Sequence, residues 1–127
     1  MSYSVLLSNG EILDKFSILT IKQNQITDFN KLNNIKTEIN ILSSIVKEII
    51  DIYSLQKLYN TLQLVNQKLW DVEDNIRIKE KNKEFDDDFI QLARNVYKTN
   101  DERADIKKQI NHISCSEIIE EKSYEKY

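Results

Sequence analysis

One arginine interrupts an otherwise apolar helical line near the carboxyl end of the chain. In FIQLARNVYKTNDERADIKKQINHI (89–113), apolar residues recur three or four positions apart, and Arg103 occupies one of those positions. A guanidinium on that line faces neighbouring helices, where desolvation without an anionic partner is costly. Asn100 and Lys107 lie on the adjacent line. The pattern therefore predicts anionic partners for Arg103, either in the protein or on a ligand.

Two more stripes of polar residues run beside predicted apolar seams. The residues of one stripe lie within positions 66–80 and are alternately four and three positions apart. The residues of the other stripe lie within positions 11–22. Charge stripes are typical of solvated helix faces, where a pair such as Glu73 and Arg77 contributes about 0.3–0.5 kcal/mol. In the competing interpretation, the stripes converge with the Arg103 line on a bound ligand. The candidate ligand-binding residues are then Glu11, Lys15, Glu73, Arg77, Asn100, Arg103 and Lys107.

Inward arginine and lysine side chains suit an anionic metabolite, because charge-assisted hydrogen bonds to phosphate oxygens are strong. We therefore interpret the chain as a small-ligand-binding helical module for a nucleotide or a sugar phosphate. A metal-dependent all-α nucleotide pyrophosphohydrolase is an alternative, since carboxylates three residues apart on facing helices can hold magnesium. Glu11 and Asp14 have that spacing and Glu73 could join them, although a second clean acidic pair is missing. Whether the chain is an enzyme stays open.

Composition and the absence of known motifs exclude several classes of functional site and partner. The sequence contains no Gly-rich phosphate loop, no CxxC motif and no G-x-S-x-G elbow, and Cys115 with His112 is too little for a zinc site. We therefore assign no metal site, and the sequence leaves the identity of any cofactor open. With 18 basic and 21 acidic residues, the net charge of −3 provides no bulk basic field for nucleic acid. Since neither an apolar run of membrane length nor a signal peptide is recognisable, we expect a cytoplasmic protein without nucleic-acid or membrane partners.

Length and periodicity predict one helical domain over residues 1–127. The chain has no proline and a single glycine, which favours long uninterrupted helices. Ser8 and Glu11 have capping-box spacing, so the first helix is predicted from about Gly10 to Thr27. Its predicted buried residues are Ile12, Phe16, Leu19 and Ile26.

Three further helices follow from the same alternation of three and four residues. The second and third are out of phase across residues 52–54, which predicts a tight turn there, and an aspartate of the run 86–88 is a natural N-cap for the fourth. The sequence thus predicts an all-α four-helix bundle built on a long antiparallel hairpin of the second and third helices. A short N-terminal arm precedes it, and SEIIEEKSYEKY (116–127) is predicted to form a short helix or a tail.

Two details of the predicted helices remain alternatives at this point. Thr99-Asn100-Asp101-Glu102 has the form of a second capping box, so the fourth helix could restart there, but the uninterrupted apolar phase favours one continuous helix. Ile41, Ile45 and Ile50 lie off the core line of the second helix and give it a second apolar side. We therefore expect a homodimer, and a helical scaffold that acts through oligomerisation is a rival function without a small-molecule site.

Several segments resemble a known family of small bacterial proteins. They are GEILDK (10–15), LWDVEDNIRIKE (69–80), FIQLARNVYKTNDERADIKKQIN (89–111) and EEKSY (120–124). The resemblance, which covers nearly the whole chain, is to a domain of unknown function. Members are encoded near, or fused to, glycosyltransferases and tetratricopeptide-repeat proteins of surface-polysaccharide clusters. The resemblance implies a role near cell-envelope sugar metabolism and supplies no catalytic residues, while the Asn-, Ile- and Lys-rich composition indicates an AT-rich bacterial or phage genome.

Overall fold

Four helices account for the fold. The computed structural model describes residues 1–127 and contains α1 (Asn9–Gln25), α2 (Phe29–Tyr53), α3 (Gln56–Lys81) and α4 (Asp87–Ile113), with no strand. The predicted all-α four-helix bundle is confirmed. Helix α4 runs without interruption through residues 98–102, so the predicted continuity is also confirmed. The last 14 residues, 114–127, form a tail and not a short helix.

Side-chain caps fix where three of the helices begin. The Ser8 hydroxyl accepts a hydrogen bond from the Glu11 amide at 3.1 Å, and Asp28 and Asp86 accept from amides in the first turns of α2 and α4. Each such cap contributes about 1 kcal/mol, because it satisfies an amide that has no intrahelical partner. The caps predicted at Ser8 and in the aspartate run are therefore confirmed. The Glu11 carboxylate does not complete the capping box and instead contacts Lys107.

The turn between α2 and α3 forms without glycine or proline. Ser54 adopts the left-handed conformation with φ of 54°, and the Leu55 amide donates to the Ile50 carbonyl at 3.0 Å. This closes the carboxyl end of α2 in the manner of a glycine-type helix cap, while the Leu55 side chain is buried in the core. The tight turn predicted at residues 52–54 is present but lies at Ser54 and Leu55, because α2 continues through Tyr53.

Helix α1 is the only helix that has substantial contact with each of the other three. The most extensive interface joins α3 to α4, whereas α2 packs mainly on α1 and has little contact with α3. The prediction that the bundle is built on a hairpin of the second and third helices is therefore wrong, because α2 turns away from α3 and lies along α1. The principal core cluster draws residues from all four helices and from the turn; it comprises Leu13, Val46, Ile49, Ile50, Leu55, Leu62, Val65, Ile106 and Ile110. Because α1 lies against every other helix, its polar residues can reach partners on several of them.

The buried residues of α1 differ from the predicted set. Leu13 and Ile21 are buried along with the predicted Leu19, whereas Ile12 and Phe16 pack at the edge of the core. The reason is that the inward stripe of α1 also carries polar residues, Asp14 and Ser17, which no apolar periodicity can identify. On α2, Ile50 belongs to the core, which corrects its assignment to a second apolar side.

Gly10 allows α1 and α4 to approach closely. A Cβ atom added at this position would lie 2.6 Å from the Lys107 carbonyl oxygen and 2.9 Å from the Asn111 Oδ1 atom. The Gly10 amide itself donates to that Asn111 oxygen. The single glycine therefore does not break a helix; it brings the backbone of α1 beside the residues of α4 that carry Lys107. None of the four helices combines the length and apolar character needed to cross a bilayer.

Two leucines on α3 provide a matched test of this core. Leu62 is fully buried and Leu64 is 72% exposed. We expect Leu62→Ala to lower the free energy of unfolding by about 2–5 kcal/mol, because it removes buried methyl groups and leaves a cavity. Leu64→Ala should change it by less than about 0.5 kcal/mol. Urea denaturation followed by circular dichroism measures both, and equal losses would contradict the assigned orientation of α3.

Candidate functional site

The arginine that interrupts the apolar line of α4 has a buried carboxylate partner on α1. Arg103 Nε donates to Asp14 Oδ1 at 2.9 Å and to Oδ2 at 3.1 Å, and Arg103 Nη2 also donates to Oδ2. The Asp14 side chain is only 1% exposed. Hydrogen bonding to Asp14 raises the pKa of the Arg103 guanidinium and outweighs desolvation, which lowers it. The predicted anionic partner therefore comes from the protein, and the pair joins α1 to α4.

A third helix holds the same carboxylate from its other side. Asn66 on α3 is buried, and its Nδ2 atom donates to Asp14 Oδ1 and to Ser17 Oγ, both at 3.0 Å. Ser17 in turn donates to Gln63 Oε1 at 2.7 Å. Because the group facing a carboxylate must be a donor, these contacts fix the orientation of the Asn66 amide and leave its Oδ1 without a hydrogen-bond partner.

Lys107 lies one helical turn beyond Arg103 and is surrounded by carboxylates. Its Nζ atom is 2.6 Å from Glu11 Oε2, 3.7 Å from Glu120 Oε2 and 3.9 Å from Asp14 Oδ2. Glu120 belongs to the C-terminal tail and also accepts a hydrogen bond from Ser8. We refer to Asp14, Asn66, Arg103 and Lys107 together as the Asp14 network. It connects α1, α3 and α4, and Lys107 extends it to the tail.

An open cavity of about 730 Å³ lies against the outer side of this network, between α4 and the tail. We call it the α4–tail cleft. It is lined by three basic residues, three tyrosines, two acidic residues and three others. These are Arg103, Lys107, Lys122, Tyr97, Tyr124, Tyr127, Asp101, Glu125, Val96, Asn100 and Ala104. Arg103 Nη1 has a single acceptor, Asn100 Oδ1 at 3.5 Å, which is the longest hydrogen bond in the site. One edge of the guanidinium therefore retains donor capacity beside the cleft.

The tail reaches the cleft through contacts with Asp101. Lys122 Nζ donates to Asp101 Oδ1 at 2.9 Å and Tyr127 donates to Oδ2 at 2.6 Å, while the Tyr127 ring meets Tyr97 edge to face. Tyr127 and Lys122 together hold the pKa of the Asp101 carboxyl below its ordinary value, and the bond to Asp101 raises the pKa of Tyr127 to about 12.

The direction of these shifts sets the pH range of the tail contact. Because the pKa of Asp101 is lowered, the stability that its bonds to the tail add to the folded state is complete above pH 3.8. It is lost as the pH falls through the lowered pKa. Because the pKa of Tyr127 is raised, the stability that its hydroxyl adds to the folded state is complete below pH 10.0. It is lost as the pH rises through about 12. Tail attachment at Asp101 is therefore fully present at neutral pH.

Comparison with known proteins places the chain in a family. The sequence profile of the Family of unknown function (DUF6165) matches residues 3–127. The chain belongs to this family. No curated protein and no solved structure matches the chain. The match covers all four helices of the DUF6165 chain together with the tail, so both walls of the α4–tail cleft lie within the family domain.

Six of the seven predicted site residues fall into two places in this DUF6165 domain. Arg103 and Lys107 line the cleft together with Asn100, and Glu11 reaches Lys107 from α1. Glu73 and Arg77 form an exposed pair at 3.1 Å along α3 and line a separate groove between α1 and α3. That groove has a volume of about 340 Å³ and also includes Trp70 and Asn66.

The remaining predicted residue, Lys15, is exposed and forms no ion pair. Asp14, considered in the sequence only as a possible magnesium ligand with Glu11, is absent from the predicted ligand-binding residues, although it carries the network. Lys122, Tyr124 and Tyr127 are absent from them as well. Their only sequence signal was a cluster of lysine and tyrosine in a segment without helical periodicity, EKSYEKY (121–127).

Removal of one arginine from each place distinguishes a structural ion pair from a surface pair. Arg103→Ala leaves the Asp14 carboxylate buried without its main donor, so we expect a loss of about 3–5 kcal/mol in the free energy of unfolding. Arg77→Ala removes an exposed pair along one helix and should cost less than about 0.5 kcal/mol. Chemical denaturation of both variants measures the difference. A cost for Arg103→Ala as small as that for Arg77→Ala would show that the Asp14 network is not a structural element.

Proposed function

We propose that this protein binds an anionic metabolite, a nucleotide or a sugar phosphate, in the α4–tail cleft. The observation that carries the proposal is the guanidinium of Arg103, which the buried Asp14 orients so that its Nη1 edge stands beside the cleft with donor capacity. A planar donor fork held in a fixed direction is suited to recognition of phosphate oxygens. Lys122 lies in the wall of the same cleft and supplies a second cation.

The walls of the cleft suit a ring attached to the anionic group. Tyr97, Tyr124 and Tyr127 present aromatic surface with hydroxyl groups at its edge, which can stack on a ring and form hydrogen bonds to it. The cavity volume of about 730 Å³ falls within the range of roughly 300–1,000 Å³ that small-molecule sites occupy. We further propose a cytoplasmic role auxiliary to surface-polysaccharide metabolism, which is the role that the resemblance described above implies.

The carboxylates considered for a pyrophosphohydrolase are engaged elsewhere. Glu11 contacts Lys107 at 2.6 Å, and both Asp14 oxygens accept from Arg103. No group of three or more histidine, cysteine, aspartate or glutamate residues in the structure is arranged to hold a metal ion. Our proposal therefore rests on the cations and tyrosines of the cleft and not on a pair of metal-binding carboxylates.

Ligand-dependent thermal stabilisation tests the proposed site. We expect at least one of a panel of nucleoside monophosphates and hexose phosphates to raise the Tm of the wild type, since a ligand at about 100 times its Kd adds roughly 2.7 kcal/mol to the folded state. Tyr124→Ala should reduce that rise, because Tyr124 is an exposed wall of the cleft whose loss leaves the core intact. Lys122→Ala should reduce it further by removing a cation.

Arg77→Ala is the matched control for the same panel, because it removes a charge outside the cleft. A Tm rise that survives Tyr124→Ala and Lys122→Ala but disappears in Arg77→Ala would assign binding to the groove between α1 and α3. The absence of any rise in the wild type with every anionic compound would contradict the proposed function.

A second candidate function, a homodimeric helical scaffold, is favoured by the outer face of α2. Ile41 is 66% exposed and Ile52 is 62% exposed, with the exposed Ile45 between them on the same face of the helix. Apolar residues four and seven positions apart share one face of a helix, which a second helix can cover. We propose that two copies of the chain pair through this face.

Light scattering after size-exclusion chromatography tests the homodimer. We expect the wild type to have twice the monomer mass at micromolar concentration and the double variant Ile41→Lys, Ile45→Lys to be monomeric, because two charges would be buried in the interface. The control is Ile90→Lys, which alters an exposed isoleucine on α4 and should leave the dimer intact. A wild type that is monomeric under these conditions would contradict the pairing.

A further inference from the structure

We infer that the α4–tail cleft selects a ligand that combines one phosphoryl group with a planar ring, such as a nucleoside monophosphate, over nucleoside polyphosphates and over sugar phosphates that lack a planar ring. This inference rests on the proposed function and specifies the ligand of the same site. It follows from the charges around the cleft, the number of donors still available and the chemistry of its walls.

The cations of the cleft are already balanced by nearby carboxylates. Arg103 and Lys107 share Asp14, and Lys107 also has Glu11 and Glu120 within 3.7 Å. On the opposite wall, Lys122 is paired with Asp101 at 2.9 Å, and the lining carries one more carboxylate, Glu125. Three cations therefore stand among five carboxylates. A ligand gains affinity here only through direct hydrogen bonds to donors, because the surrounding charge does not attract anions in bulk.

Donors remain for a single phosphoryl group. Arg103 offers the Nη1 edge, whose one acceptor lies at 3.5 Å. Lys122 has three N–H donors, of which one is directed to Asp101 and the ammonium group lies 5.1 Å from the centre of the Tyr124 ring. Lys107 is surrounded by three carboxylates and has the least capacity left. Arg103 and Lys122 line the same cleft and are its donors for one phosphoryl group, whereas Asp101 and Glu125 in the same lining would repel a second.

Tyrosine rings make the walls better suited to a planar ring than to a sugar alone. Tyr97 and Tyr127 meet edge to face at 5.1 Å between ring centres, and Tyr124 stands on the same tail segment as Tyr127. Val96 and Ala104 add apolar surface on α4. Stacking of a base on an aromatic side chain is favourable, and it tolerates different bases because each presents a π face. A ribose or hexose ring offers less flat apolar area for this contact.

The inference can be tested by calorimetric titration of the full chain with adenosine, AMP, ADP, ATP and ribose 5-phosphate. Titration with GMP, CMP and UMP shows whether the identity of the base affects binding. We expect AMP to bind at least about tenfold more tightly than adenosine, which lacks the phosphoryl group, and than ribose 5-phosphate, which lacks the base; tenfold corresponds to about 1.4 kcal/mol. ADP and ATP should bind progressively more weakly than AMP. Their weakening should diminish at high salt, since it arises from repulsion by exposed carboxylates.

Glu125→Gln identifies the repulsive element. This variant removes a cleft carboxylate that forms no ion pair, so it should strengthen ADP and ATP binding more than AMP binding and reduce the discrimination severalfold. Glu117→Gln is the matched control, because Glu117 is an exposed glutamate of the tail outside the cleft lining. Equal effects of the two variants would remove Glu125 from the account of specificity.

The outcomes separate this inference from the proposed function. Binding of ADP or ATP at least as tightly as AMP, with Tyr124→Ala still reducing it, would overturn the single-phosphoryl preference and leave the anion site in place. Adenosine binding as tightly as AMP would show that the phosphoryl group is not recognised. If none of these compounds binds and no hexose phosphate stabilises the protein, the proposed function itself fails.

Discussion

Asp14 is a carboxylate with almost no exposure to solvent, and three helices meet around it. Arg103 approaches from α4 and Asn66 from α3, while α1 carries the carboxylate itself. A buried charge without such partners would be strongly destabilising, so these contacts restrict how α1 can rotate and slide against the other two helices. Gly10 contributes to the same arrangement, because only the absence of a Cβ lets α1 approach the Lys107 backbone this closely.

The Asp14–Arg103 pair is better explained by the orientation that it gives to the guanidinium than by a gain in the stability of the fold. Replacing a buried ion pair with well-packed apolar residues is often neutral or stabilising, since desolvation offsets much of the attraction. What an apolar pair cannot do is hold a donor fork in a fixed direction. Two of the three guanidinium nitrogens are occupied by Asp14, and the third faces Asn100 at the edge of the cleft. A buried carboxylate in the interior of the bundle thus positions the Arg103 guanidinium, whose free hydrogen-bond donors lie at the surface of the bundle.

Much of the fold could be predicted from the sequence because local signals determine it. Caps at Ser8 and Asp86 mark helix starts, the change of apolar phase near Ser54 marks the turn, and the even spacing through residues 98–102 keeps α4 continuous. The site was only partly predictable, because convergence of side chains depends on the rotation of each helix about its axis. Arg103 could be recognised as a residue that needs an anion, but nothing in its own segment identifies Asp14 as the partner.

The stripe on α3 illustrates the same difficulty. Its residues are regularly spaced, yet Asn66 points inward to Asp14 while Glu73 and Arg77, two turns or more along the helix, form an exposed pair. A straight helix packed on neighbours at an angle does not present one line of residues to the same surroundings over its whole length. Tail residues 114–127 have no helical period, so their return to α4 could not be inferred from spacing at all.

The two walls of the cleft differ in how firmly they are held, and this difference suits the ligand binding that we propose. The α4 wall is fixed by the buried Asp14 network. The tail wall depends on exposed contacts such as Lys122–Asp101 and Lys108–Glu121, which are individually weak and are screened by salt. A rigid wall that carries the oriented guanidinium can define where an anionic group binds, while a compliant wall of tyrosines can adjust to the ring attached to it. Preorganisation is thereby concentrated at the charged group, where misplaced donors would cost the most affinity.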